Sequence, residues 1–284
     1  MSSAKKDDER RLFEMTLDIN ATPSDVWRAI TEAEELVRWF PLEARVTPGE
    51  GGTMLWAWKD AWRWETRIAE WMPGKRLRLV DEASRPYDAN GQPVPADRAQ
   101  SAHVVLDFEL EARGNTTRLR LVHSGFGKGD AWDDELDSVA GGWQFELRSL
   151  KQYLEQHRGR ARHHAWIHAF SSAPIDGVWT ALTGHEGFNL RPTPPAAGLP
   201  FTIETTAGDK FSGVTVQVLP RRDFSGTLSE LEDSYIRLSV FRAGGATGIT
   251  VWLATYSARA AAAVKAFEPR GQAVVDGLTT ARAT

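Results

Sequence analysis

Two stretches of this 284-residue chain read almost alike: ATPSDVWRAIT at residues 21–31 and SAPIDGVWTALT at residues 172–183. Each holds a small residue, proline, aspartate and then Val-Trp-x-Ala-Ile/Leu-Thr, the second copy with one residue more. Each follows a segment of alternating character, Leu12 to Ile19 in the first and Ala165 to Phe170 in the second. Period-two alternation, then Ser or Thr with proline, then helical spacing, predicts strand, cap and helix. Pro23 and Pro174 fall at the helix start, where a missing N–H has no bond to lose. A period of about 150 residues is far too long for a solenoid unit and predicts a duplicated domain.

The first copy continues legibly. Gly51-Gly52 opens a strand on which Met54, Trp56 and Trp58 share a face, and Trp62 and Trp64 share a face of the next strand, opposite Arg63 and Glu65. Val104, Leu106, Phe108 and Leu110 alternate with Val105, Asp107, Glu109 and Glu111, and Leu119, Leu121 and His123 alternate with Arg118 and Arg120, which predicts half-buried antiparallel strands. After a strand at Arg76 to Val80 and before Val104, the Pro-rich polar segment 82–101 is expected to be a long loop serving as a lid or a domain contact. Leu136, Val139, Ala140, Trp143, Leu147, Leu150 and Leu154 recur at helical steps, with Asp133, Asp134 and Glu135 at the positive end of that helix. In the second copy strands are expected at Phe201–Ile203, Phe211–Leu219, Phe224–Leu231, Tyr235–Phe241 and Ile249–Thr255. A final helix follows from about Ala258, broken near Pro269 and Gly271.

The layout is α+β: tandem domains, each a curved antiparallel sheet wrapped around a long C-terminal helix. The expected boundaries are a disordered tail over 1–9, a first domain over 10–158, a linker over 159–163 and a second domain over 164–284.

Composition excludes several classes. The net charge of −4 offers no field for nucleic acid or an anionic membrane. Without cysteine there is no disulfide, thiol nucleophile or thiolate metal site. The uncharged run between Arg242 and Arg259 is too short to span a bilayer, and the first residues lack the apolar core of a signal peptide, so a soluble, cytoplasmic protein is expected. His163, His164 and His168 lie on an alternating segment whose strand geometry would hold His164 and His168 about 13 Å apart, too far to share a metal. Gly125 to Gly129 lacks the Lys-Ser/Thr of a phosphate loop and reads as a flexible hinge. No metal or other cofactor is expected.

The motifs VWRAIT…LVRWF, GGTMLWAW, RIAEWMPGKRL, TRLRLVHSGF and GGWQFELRSLKQYLE, in that order, resemble those of the heat-shock-protein-90 ATPase activator homologue family, within the START-like (SRPBCC) superfamily. The resemblance covers about residues 10–157; the second half is similar only through SAPIDGVWTALT and its element order, as a diverged copy. It implies the helix-grip fold of the birch-pollen allergen: a seven-stranded sheet around the long helix, two short helices, and often an apolar cavity between. Family members bind hydrophobic small molecules or protein clients, and some relatives are cyclases.

Twelve tryptophans against four tyrosines, nine of them at or before Trp143, need a broad core or a cavity to line. The expected cavity lining is Met54, Trp56, Trp58, Trp62, Trp64, Phe108, Leu121, His123, Trp143 and Leu147, with a hydrophobic, aromatic small molecule as ligand. His123 points inward, but Asp107, Glu109 and Glu111 have the opposite parity, so it lacks a partner for acid–base chemistry. No Gly-x-Ser-x-Gly elbow or Ser-His-Asp order occurs. The reading is therefore a non-enzymatic ligand-binding protein. A chaperone-interaction protein is the alternative and a cyclase or hydrolase a third. Against the alternative, the Asn-x-Trp-His-Trp motif of the activators is absent, with Trp62-Arg63-Trp64 in its nearest form.

Overall fold

A computed structural model of the chain describes residues 2–7, 10–59, 61–88 and 92–280. It divides into two compact units, Met1–Arg160 and Ala161–Thr284. Both are antiparallel sheets with helices, the α+β class expected.

In the first unit the strands are β1 (Ser2–Asp7), β2 (Arg10–Ile19), β3 (Glu43–Val46), β4 (Thr53–Trp58), β5 (Trp62–Met72), β6 (Arg76–Ser84), β7 (Ala102–Arg113) and β8 (Thr116–Ser124). They form one sheet in the order β1-β2-β8-β7-β6-β5-β4-β3. Three helices accompany it: α1 (Pro23–Thr31), α2 (Ala33–Leu36) and α3 (Asp130–Gln152), the last continued by a π-helical turn, Tyr153–His157. Thr22 caps α1, its hydroxyl accepting the Asp25 N–H at 3.2 Å, with Pro23 in the first turn as the sequence predicts. The buried stripe of α3 includes Leu136, Ala140, Trp143, Leu147 and Leu150.

Two expectations are corrected here. The sheet has eight strands where seven were implied. The extra strand is the segment expected to be a disordered tail: Ser2–Asp7 pairs in register with β2, Ser2 opposite Met15 and Asp7 opposite Arg10. An edge strand of this kind is held by backbone hydrogen bonds to its neighbour, so its polar composition does not prevent pairing.

The second unit repeats the plan with six strands: β9 (His163–Ser171), β10 (Pro200–Glu204), β11 (Lys210–Leu219), β12 (Asp223–Leu228), β13 (Ser234–Ala243) and β14 (Ala246–Thr255), ordered β10-β11-β12-β13-β14-β9. Strand β9 begins at His163, one residue inside the expected linker. Helix α4 (Ile175–Thr183) holds the second repeat copy, and α5 (Ala261–Thr280) packs on the core through Val264, Phe267, Val274, Val275 and Leu278. The expected break in α5 does not occur: the helix runs through Pro269. A Cβ on Gly271 would lie 2.5 Å from Ile167 Cδ1 and 2.8 Å from Phe267 Cζ, so this glycine seats the helix against β9 and does not end it. Tertiary packing outweighs the hydrogen bond that the proline removes.

Candidate aromatic binding site

The β4–β5 register sets Trp56 opposite Trp64, Trp58 opposite Trp62 and Met54 opposite Thr66. Directly opposed residues of an antiparallel pair share a face, so Met54 and four tryptophans stand on one side of the hairpin. Across the sheet, β7 and β8 place Phe108 opposite Leu121 and Leu106 opposite His123. From α3, Trp143 closes the cluster: its ring lies 6.3 Å from Trp56, 5.9 Å from Phe108 and 6.4 Å from His123. Leu147, one turn on, is fully buried, as are Met54 and Leu121. All ten residues expected from the sequence therefore lie on the β4–β5 hairpin, β7, β8 and α3 of the first unit.

Three members escaped the sequence reading. Phe40, just after α2, is the hub of the cluster, with ring centroids 4.9 Å from Trp56, 5.2 Å from Trp58 and 5.0 Å from Trp143. Phe126 lies 4.7 Å from the His123 ring. Gly125 puts it there: at φ +84 its missing Cβ leaves room for the His103 carbonyl, which a Cβ would meet at 2.0 Å. This glycine is a close-packing position, where a flexible hinge was expected. The third is Asp81, whose carboxylate takes the Trp64 indole N–H at 3.4 Å. Its parity with Leu77 and Leu79 was the available signal, and its hydrogen bond goes to Trp64.

Exposure changes across the cluster. Trp56 (1%), His123 (3%) and Trp143 (5%) are buried, whereas Trp58, Trp62 and Trp64 are half-buried. The aromatic surface thus runs from a closed base to a rim on the β4–β5 hairpin that solvent reaches.

His123 stacks on Trp64, with centroids 5.4 Å apart and planes at 20°. Its Nδ1 accepts the Trp143 indole N–H at 3.1 Å, which leaves the ring proton on Nε2. Burial drives its pKa down to about 3, so the imidazole is neutral at every physiological pH. Its Nε2 finds no hydrogen-bond partner, and neither does Trp56 Nε1. The contrast with other indoles is direct. Trp39 donates to Ala29 O at 2.8 Å and Trp132 to Gln100 O at 3.0 Å.

The loop expected over 82–101 is anchored beside the N-terminal end of α3. Val94 and Ala99 are buried, and the Tyr87 backbone N–H bonds the Glu135 carboxyl, whose pKa desolvation pushes up to about 7. A separate polar cleft of about 540 Å³ lies beside α1 and α2. Three ion pairs line it: Arg28 with Glu32 at 3.0 Å, Arg38 with Glu35 at 2.7 Å, and Arg158 with Asp25.

Residues 20–155 match the family described as Activator of Hsp90 ATPase homolog 1-like protein. No curated protein sequence matches the chain. Among solved structures, the chain is similar to the Aha1 dimer from Colwellia psychrerythraea at 20% identity and TM-score 0.42, over 52% of this chain and 98% of that one. It is also similar to the di-domain ARO/CYC BexL from the BE-7585A biosynthetic pathway at 18% identity and TM-score 0.43, over 95% of this chain and 98% of that one. DynU16, from the dynemicin biosynthetic locus, aligns at 13% identity and TM-score 0.41, over 98% and 99% of the two chains.

Proposed function

We propose that the first unit binds a planar, hydrophobic small molecule among Trp56, Trp58, Trp64, Phe108 and Trp143, and performs no chemistry on it. The observation that carries this reading is the continuity of the aromatic cluster from its buried base to its half-buried rim, which offers flat faces to a flat ligand. A neutral His123 beside an Asp81 that bonds Trp64 supplies no paired acid and base, which argues against a cyclase or hydrolase.

Equilibrium dialysis of fluorene against the full chain tests the reading. Saturable binding at one site per chain is expected, weakened at least tenfold in Trp64→Ala, a rim position whose loss leaves the buried base intact. Absence of saturable binding sinks it.

The family match favours a second reading, a chaperone activator. Here the expected result is no stimulation of a heat-shock-protein-90 ATPase at micromolar concentrations. A several-fold stimulation lost on removal of residues 161–284 would reverse the order of the two readings.

A further inference from the structure

We infer that residues 85–88 and 92–100 form a strap across the mouth of the aromatic cluster, with Tyr87 as its latch, and that a ligand enters when Tyr87 lets go of Glu135. This rests on the ligand-binding reading above and names the step that controls access to that site.

The ends of the strap stand side by side, because Ser84 at the end of β6 pairs with Ala102 at the start of β7. From there Tyr87 reaches two elements at once. Its hydroxyl donates to the Arg63 carbonyl on β5 at 3.4 Å, and its backbone N–H bonds the Glu135 carboxyl on α3. Farther along, Gln100 O accepts the Trp132 indole N–H of α3 at 3.0 Å. The strap is thus tied both to the sheet and to the helix. Between those ties runs a chain of rings: Trp64 stacks on His123, His123 lies 4.7 Å from Phe126, and Phe126 lies 6.2 Å from Trp132. The base of the cluster is closed, with Trp56, His123 and Trp143 buried, so the approach to its ring faces lies at the half-buried rim.

The strap is braced within itself. Tyr87 bridges to Pro93, the Val94 N–H bonds Pro86 O at 2.8 Å, and Arg85 donates to Val94 O at 3.2 Å. Pro86, Val94 and Ala99 seat it as buried side chains. A segment held to its surroundings by a few ties opens at a lower free energy than a sheet strand bonded along its length.

Glu135 couples the latch to pH. Desolvation in the closed arrangement raises its carboxyl from 4.5 to about 7, and lifting the strap returns it to water. Opening is therefore favoured as pH rises from 5 to 8, because the open arrangement releases a proton that the closed one holds. The surrounding groups are few. The Tyr87 phenol is raised by its own burial and then by Asp81 of β6 and by Glu135. Asp133 and Asp134 precede Glu135 on α3, and Asp133 is paired with Arg11 of β2. Asp88 of the strap takes the Gln92 N–H at 3.0 Å, and His103 of β7 lies near Glu82. His123, held down to about 3 by burial, stays neutral throughout this range.

Two measurements on the full chain test this. Hydrogen exchange, read as protection factors at the Val94 and Ala99 amides, follows the strap without any ligand. Protection there should lie well below that of the β7 core and fall at least tenfold from pH 5 to pH 8. In Glu135→Gln, whose uncharged side chain keeps an acceptor for Tyr87, that fall should vanish. Exchange in step with the β7 core would mean that the strap opens only with the whole fold, and overturns the inference. Stopped-flow quenching of tryptophan by 9-fluorenone, a planar tricycle uncharged at every pH used, then reads access. Association should quicken at least fivefold from pH 5 to pH 8 and stay slow at both in Glu135→Gln. It should be faster at both in Tyr87→Phe, which cuts the tie to Arg63. The wild-type comparison across pH stands even where a variant fails to fold. Equal association rates at the two pH values overturn the strap and leave the ligand-binding reading standing. A pH effect that survives Glu135→Gln also overturns it. Failure of both fluorene and fluorenone to bind removes the ligand-binding reading and this inference together.

Discussion

At the scale of single residues, Glu135 and His123 pull stability in opposite directions with pH. Glu135 is raised from 4.5 to about 7 by desolvation, so between those values the folded chain keeps a proton that the unfolded chain has lost. Stability therefore falls as pH rises through that window and stays lowered above it. Glu135→Gln should leave the melting temperature unchanged near pH 5 and raise stability at pH 8 by about 1–3 kcal/mol. Scanning calorimetry at the two pH values checks this, and equal effects at both would refute it. His123 works the other way. Its folded pKa of about 3 lies below the ordinary 6.5, so acid destabilises the fold between those values. Of these residue-level facts, parity alone placed Trp56 with Trp58 on one face of their strand and Trp62 with Trp64 on one face of the next, and the register joined those faces. Parity could not show that the Trp56 N–H lacks an acceptor, because that depends on which atoms of α2, β8 and α3 arrive around it.

At the scale of elements, α5 shows how packing overrides a local signal. Proline and glycine two residues apart spell a helix end, yet the helix continues because Gly271 lets it lie on Ile167 and its own Phe267. Gly271→Leu should place a side chain where a Cβ already meets two buried side chains, lowering stability by about 1–3 kcal/mol despite leucine's better helix propensity. Urea unfolding measures it, and a stabilised variant would show that β9 is not closely packed there. Elements with strong periodicity, such as α3, β4, β7 and β8, were legible because each repeats one spacing over many residues. Strand β1 was not legible: its pairing is written in the backbone of β2, and a polar segment looks the same in sequence whether paired or free.

At the scale of the whole molecule, the chain forms two compact units divided at Arg160 and Ala161. Residues 1–160 hold a complete sheet, their own long helix and nine of the twelve tryptophans. That fragment should fold alone, with a native near-ultraviolet circular dichroism spectrum and a single cooperative melt. A molten spectrum would mean that the first unit depends on the second. The repeat, the α+β class and the inward faces of the strongly alternating strands were determined by the sequence itself, because repeats and periodicities of two and 3.6 are local properties that any stretch of chain displays. The tertiary structure alone decided that Phe40 is the hub of the aromatic cluster, that Asp81 takes the Trp64 indole and that the Trp56 and His123 Nε2 N–H groups find no hydrogen-bond partner. Contacts such as Trp56 with Trp143 join residues far apart in the chain, and no local pattern encodes which distant atoms will meet.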